Sequence, residues 1–327
     1  MSRPRVLVTG GAGFLGSHLC RQLARDGFDV VAHGRTQMSL APLVAEKFSV
    51  VACDLQSPAA ATLISHAGPL DAIVHCGGLS SNWGHRSAFR SANVDATRSL
   101  VTQASSAGIK HFVYVSSSSV CFDFRDQFLV REDQPLPPPV NAYAWSKQAA
   151  EDVVRNSSTQ ATIIRPRGIY GSGDAALLPR LLRAAKRGPL PLFRGGRSVI
   201  DLTHVEDVVG AIASILKSRS STIGNTYNVS SGEPIAVREI IERTASEAGI
   251  AVRWRPAPWH LARIAIRGLE LFHAVARPAV EPFVTVYSAA LLAFSQTLDI
   301  SSLQADTTWR PAISFSEGLK RTFRHGA

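Results

Sequence analysis

Three features of the sequence predict an α/β fold, a doubly wound parallel sheet with a smaller, mostly helical C-terminal lobe. A glycine-rich turn joins a short apolar run to a helix-like segment near the N-terminus. Short apolar and β-branched runs then alternate with helix-length segments, and from Ile235 onward the pattern turns mostly helical. Alternation of this kind sets strands side by side in parallel with helices on both faces. Ligands of such sheets lie at the C-terminal ends of the strands, which makes the turns after each strand the places to search. A length of 327 residues fits a main domain plus a second lobe better than one core.

The first strand, Val6-Leu7-Val8, runs into Thr9-Gly10-Gly11-Ala12-Gly13-Phe14-Leu15-Gly16 and then a helix. Gly10 allows the turn, Gly13 lets the backbone approach a pyrophosphate, and Gly16 lets helix and strand pack closely. The helix N-terminus faces the anion with free N–H groups, so Thr9, Gly10, Gly13, Phe14, Leu15 and Gly16 form a candidate phosphate cradle of Rossmann-like type. The spacing is G-x-x-G-x-x-G rather than the commoner G-x-G-x-x-G. Strand two, Phe28 to His33, ends at Gly34-Arg35. NAD-binding chains normally carry an acidic side chain there to hold the ribose 2′-hydroxyl. A glycine followed by arginine suits the 2′-phosphate of NADP instead, so NADP(H) is the preferred cofactor and NAD(H) the second choice.

Strand three, Ser49 to Cys53, ends at Asp54-Leu55, where a carboxylate can meet the adenine amino group. Strand four, Asp71 to Cys76, ends at Gly77-Gly78, which leave room for a cofactor. A helix from about Ala88 to Ala107 carries Asn93 near its start, and strand five, His111 to Val115, runs into Ser116-Ser117-Ser118-Ser119-Val120. After a proline-rich loop, Tyr143 and Lys147 fall four apart on a helix and project from one face. An ammonium and a nicotinamide cation near a phenol favour phenolate, so Tyr143 is expected to have a lowered pKa and to move the proton that accompanies hydride transfer. Lys147 is also expected to hold the nicotinamide ribose, and a serine after strand five to bind the substrate oxygen.

The net charge of +10 is concentrated in Arg180, Arg183, Lys186, Arg187, Arg194 and Arg197, with no acidic residue between Leu177 and Ile200. Cofactor phosphates, an anionic substrate, an acyl carrier protein or a membrane surface would each answer that field. No nucleic-acid-binding module accompanies it. The cysteines Cys20, Cys53, Cys76 and Cys121 have no metal-like spacing and read as buried reduced thiols in a cytoplasmic protein without a signal peptide. No metal site is expected. The uncharged run Pro282 to Leu298 falls short of a membrane span and reads as a buried helix. Trp259 to Ala276 has a helical pattern, with Leu261, Ile264, Leu271, Phe272 and Val275 expected to cap an apolar pocket; contact with a membrane surface is the lesser alternative. His75, His204 and His260 show no catalytic or metal grouping.

Over essentially its whole length the chain resembles the extended short-chain dehydrogenases/reductases. Thr9 to Gly16, Asp54-Leu55, Asn93-Val94, the serine run with Val120, Tyr143 to Lys147, Arg165-Pro166-Arg167-Gly168-Ile169-Tyr170-Gly171, Val205 to Val208 and Trp309-Arg310-Pro311 carry the likeness. The resemblance implies Ser117, Tyr143 and Lys147 as the catalytic set. It adds Asn93, Ser116, Arg165, Pro166, Gly168 and Ile169, with Gly77 and Gly78, to the cofactor site, and Ser118, Ser119, Arg167, Tyr170, Arg197 and Ile200 to the substrate site. Ile200 stands where nucleotide-sugar members present a diphosphate-binding arginine, which turns the reading towards the 3β-hydroxysteroid dehydrogenase and β-keto-acid reductase branch. The implied activity is interconversion of a ketone and a secondary alcohol on an apolar, β-keto acyl or 3β-hydroxysteroid-like substrate that can be anionic. The rivals are a nucleotide-sugar 4-epimerase or dehydratase with tightly bound NAD(P), and a non-catalytic dinucleotide-binding protein. Residues 1–170 plus about 199–230 are expected to form the cofactor domain, about 171–198 plus 231–327 the substrate lobe, and the protein to be a homodimer.

Overall fold

The computed structural model describes residues 3–278 and 280–324. In chain order it forms β1 (Arg5–Thr9), α1 (Phe14–Arg25), β2 (Asp29–Gly34), α2 (Gln37–Ala45), β3 (Ser49–Ala52), β4 (Ala72–His75), α3 (Ala96–Ser106), β5 (His111–Val115), α4 (Ala142–Arg155), β6 (Ala161–Pro166), α5 (Leu177–Arg187), α6 (Val205–Lys217), β7 (Thr226–Val229), α7 (Val237–Glu247), α8 (Trp259–Ala276), α9 (Val286–Ala293) and α10 (Phe315–Arg324). Strands β1 to β7 make one parallel sheet in the order β7-β6-β5-β4-β1-β2-β3. The strand order reverses between β1 and β4, and the register there pairs Thr9 with His75. The glycine turns after these two strands therefore meet at the switch point where such sheets bind ligands.

Alternation along β1 explains the two layers of helices. Val6 and Val8 face Leu19 and Leu23 of α1 and Val208 and Ile212 of α6. Leu7 faces the other way, into a core with Leu100 and Val101 of α3 and Val154 of α4. Both faces are covered, which is why these strands read as unbroken apolar runs.

The lobe has its own small sheet, Ile235–Ala236, Val199–Ile200, Gln296–Leu298 and Gln127–Val130 in that order. Gln127–Val130 and Val199–Ile200, from stretches expected in the cofactor domain, thus pair with lobe strands. The uncharged run is not one buried helix: α9 stops at Ala293 and the chain turns into the strand Gln296–Leu298. The helix α8 forms over the expected residues but presents the other face. Ala262 and Ile266 pack inward against Phe193 and Tyr287, while Leu261, Ile264, Leu271, Phe272 and Val275 are exposed. Cys20 and Cys121 are buried, whereas Cys53 and Cys76 are only half-buried; all four are free. Among the described residues no group of side chains could hold a metal ion.

Candidate active site

The cradle is built by close backbone approach. Gly10 has a φ of 68°, and a Cβ there would lie 2.8 Å from the Gly77 nitrogen. A Cβ on Gly16 would come within 2.1 Å of the Gly10 carbonyl oxygen, so helix and turn could not meet. Gly13 differs: a Cβ there would meet only the Gly10 oxygen, at 3.1 Å, and its outer side is open. Gly13 is also the N-cap of α1 and offers no side-chain acceptor, which leaves the first-turn N–H groups, from Phe14 and Leu15 onward, for an anion. These residues fit a dinucleotide pyrophosphate.

A buried relay fixes the cradle to the neighbouring strand. Thr97 Oγ1 donates to the Asn93 carbonyl at 2.5 Å and so accepts from His75 Nε2 at 3.0 Å. His75 Nδ1 then accepts from Thr9 Oγ1 at 2.6 Å, and the Gly77 N–H donates to Thr9 Oγ1 at 3.3 Å. Burial pushes His75 down to about 3, which keeps it neutral in this one tautomer. The sequence offered no signal for this role, because the two partners of His75, Thr9 and Thr97, come from β1 and α3. Asn93 sits in a π-helical turn, residues 90–95, and clamps the Gly77-Gly78 loop: its amide bonds both the N–H (2.6 Å) and the carbonyl (3.0 Å) of Leu79. It also donates to Ser146 Oγ at 2.8 Å. Its side chain shapes the cofactor loop rather than reaching into it.

Asn141 caps α4, its side chain accepting from the Ala144 N–H at 2.7 Å, and thereby fixes where Tyr143 and Lys147 project. Lys147 is buried and donates to the Val115 carbonyl at 2.9 Å, at the C-terminal end of β5. Burial lowers it to about 8, against the opposing charges of Cys76 and Glu151. The Tyr143 phenol packs beside Phe89. Contrary to the expected lowering, burial raises Tyr143 above its ordinary value, while the Ser117 and Ser80 hydroxyls beside it pull the other way. In the protein alone this phenol holds its proton. Ser80 was not singled out from the sequence; it lies in a loop with no periodic pattern.

Other expected site residues divide into three groups. Arg165 is fully buried and spent on Glu151, with Nε and Nη2 at 2.9 and 2.7 Å from its carboxylate, and Ser116 Oγ donates to the same carboxylate at 2.6 Å. Burial raises the Glu151 carboxyl, but the hydrogen bonds and charge of Arg165 more than offset this. These two expected cofactor residues therefore brace α4 against the sheet. Tyr170 is buried against His204 and Phe315, and Ile200 lies in the same lobe core, so neither presents a polar or open surface to substrate. Arg197 is exposed.

The second group stands at the strand ends. Arg35 is exposed immediately after β2, and Gly34 is required before it because a Cβ would come within 2.9 Å of Leu40. Asp54 accepts from the Gln56 N–H at 3.0 Å and shapes the turn beside Leu55. Pro166 ends β6, and Gly168 takes a φ of 48° before Ile169 pairs with Thr203. The third group faces the interior beyond β5 and β6. Ser118 is buried, and Ser119 Oγ is buried without a partner. Arg167 is buried with Nε and Nη2 unpartnered, and its charged and titratable neighbours are Tyr287 and Asp201. Tyr287 in turn neighbours Tyr143.

The model of the NAD dependent epimerase/dehydratase family matches residues 6–230. The chain belongs to that family. This makes it an NAD(P)-dependent oxidoreductase of the extended short-chain type. Among similar proteins of the family, an uncharacterised protein of Escherichia coli K12, YbjS, is 31% identical, the match covering 97% of this chain and 96% of that one. A 2-alkyl-3-oxoalkanoate reductase of Stenotrophomonas maltophilia is 30% identical, covering 97% of this chain and 98% of the relative. In fold the chain resembles the UDP-glucuronic acid 4-epimerase of Bacillus cereus solved with NAD, with a TM-score of 0.75 at 20% identity over 98% of both chains.

Proposed function

We propose that the protein is an NADP(H)-dependent ketoreductase acting on an apolar substrate with a carboxylate close to the reacting carbonyl. The observation that carries this is that Tyr287 neighbours both a protonated phenol, Tyr143 beside Ser117, and a buried guanidinium, Arg167, whose Nε and Nη2 have no protein partner. A buried arginine with free N–H groups is costly unless an anion completes it, and a carboxylate matches its fork. The 2-alkyl-3-oxoalkanoate reductase named above acts, by its name, on a substrate with that combination of groups. Arg35, exposed at the end of β2 with no carboxylate at Gly34, supports NADP(H).

A bound nicotinamide cofactor supplies the hydride, or takes it up in the reverse direction. Ser117 holds the carbonyl oxygen, and Tyr143 Oη gives it the proton as the carbon receives the hydride, so ketone becomes secondary alcohol. Lys147, anchored on Val115, lies one helical turn from the phenol and holds the ribose side of the site in place. The nucleotide-sugar reading lacks the arginine it needs, since Ile200 is buried in the lobe core.

Purified protein is mixed with NADPH and a 2-alkyl-3-oxoalkanoate, and separately with UDP- and dTDP-sugars. The expected result is stoichiometric NADPH oxidation with the oxo acid only, falling about 10²- to 10⁴-fold in Tyr143→Phe with NADPH affinity retained. Its kcat/KM for reduction should fall above pH about 8, where Lys147 loses its charge. Sugar isomerisation without net NADPH loss, or full turnover by Tyr143→Phe, would overturn the reading.

A further inference from the structure

Helix α8 is apolar on two opposite sides, and only one of them is used by the fold. Ala262, Ile266 and Glu270 recur every four residues on the inner side. The first two pack on the lobe core, and Glu270 Oε1 accepts from the Val286 N–H at 2.8 Å. Leu261, Ile264, Leu271, Phe272 and Val275 follow the same helical repeat on the opposite side and stand in solvent. Val280 and Phe283 extend the surface beyond the helix. Exposures in this stretch run from 51% at Val280 to 86% at Val275, and seven of the eleven exposed large apolar side chains among the described residues lie in it. Such concentration is unlike the scatter of a solvated surface.

We propose that this outer face of α8 docks the protein on anionic phospholipid bilayers. The charges beside it decide the occupant. Arg263, Arg267 and Arg277 are exposed along the stretch. Arg180 of α5 bridges to Glu281 at 3.1 Å, which ties the basic helix of Arg183, Lys186 and Arg187 to the segment that follows α8. The two acids of the stretch are engaged, Glu270 with the Val286 N–H and, at 3.7 Å, with Arg267, and Glu281 with Arg180, so Arg263 and Arg277 with the basic helix carry the unbalanced charge. A second copy related by a twofold axis would set these cations against each other, whereas lipid phosphates neutralise them while the apolar side chains enter the acyl boundary. No helix of the described residues is long and apolar enough to cross a membrane, so the contact lies in the interface plane.

The inner side of α8 and the turn that follows the helix touch a loop that leads to the site. Trp83 Nε1 donates to the Pro278 carbonyl at 3.1 Å, and its ring stands edge-on to His273 of α8. Ser80, in the loop that carries Trp83, lies beside the Tyr143 hydroxyl.

The whole protein is floated with vesicles of phosphatidylglycerol and phosphatidylcholine, and with vesicles of phosphatidylcholine alone, at low salt; size exclusion is run in parallel. Wild type should float with the anionic vesicles and much less with the neutral ones. The double variant Leu271→Glu, Val275→Glu and the double variant Arg263→Glu, Arg277→Glu should each lose at least about tenfold in partitioning, with circular dichroism and melting temperature unchanged. The milder Leu271→Ala, Val275→Ala should weaken binding in the same direction. Failure of wild type to float, equal flotation by the apolar variants, or a wild-type dimer that Leu271→Glu, Val275→Glu makes monomeric would overturn the proposal. None of these readouts depends on the substrate assigned above.

Discussion

Helices α1 and α8 both repeat apolar residues at helical spacing, yet they end in opposite surroundings. In α1 the residues Gly16, Leu19, Cys20 and Leu23 vanish under the sheet, and the polar face is left to water. In α8, half as long again, Trp259 alone is buried, and the more hydrophobic face looks outward. Periodicity shows that a helix has faces; which face is covered depends on what the rest of the chain brings against it. Around α1 that is a twisted sheet with no alternative packing, while α8 rests on a small lobe core that needs only Trp259, Ala262 and Ile266.

The contrast can be tested by stability. The largest effect is expected at the brace between α4 and β6. Glu151→Ala strands the buried Arg165 guanidinium and should cost about 3–5 kcal/mol in urea denaturation; a loss under about 1 kcal/mol would mean that the sheet half is not held by this pair. Next comes Gly16→Ala, which sets a Cβ against the Gly10 carbonyl. A loss of about 1–3 kcal/mol is expected, together with weakened NAD(P)H binding measured by fluorescence titration. Acid exposes a smaller effect per step. Burial holds His75 at about 3 and His111 and His204 at about 4 in the folded protein. The unfolded chain takes up those protons below its ordinary value of about 6.5, so stability is complete above pH about 6.5 and falls as pH drops towards about 4. Each histidine contributes about 1.4 kcal/mol per pH unit, and urea midpoints at pH 7.5, 5.5 and 4.5 measure the slope. Smallest of all, Val275→Ser on the outer face of α8 should change stability by less than about 0.5 kcal/mol. A large loss there would show that α8 is covered in the protein alone.

Short-range spacing made much of the site legible. A glycine turn must be contiguous in sequence to work, and Tyr143 and Lys147 share a helix face by arithmetic, so local spacing alone was enough to place both. Arg165, Tyr170 and Ile200 were misplaced for a common reason. A motif places the backbone near a site, but the direction of a long side chain depends on partners such as Glu151 and Phe315, which arrive from distant segments. Ser80 and Glu151 were missed for the same cause, and His75, read as without catalytic or metal role, got no partners from the sequence, since each acts through contacts across the sheet or between loops.

The alternation of strands and helices in the sheet half, the glycine turn and the shared helix face of Tyr143 and Lys147 followed from the sequence by itself, because each is decided within about one turn or one strand of neighbouring residues. Only tertiary structure decided that Arg165 braces and Arg167 waits unpartnered, and that α8 turns its apolar residues outward. Those outcomes depend on which buried charges find each other and on how much apolar surface a small lobe can cover, and neither quantity is local.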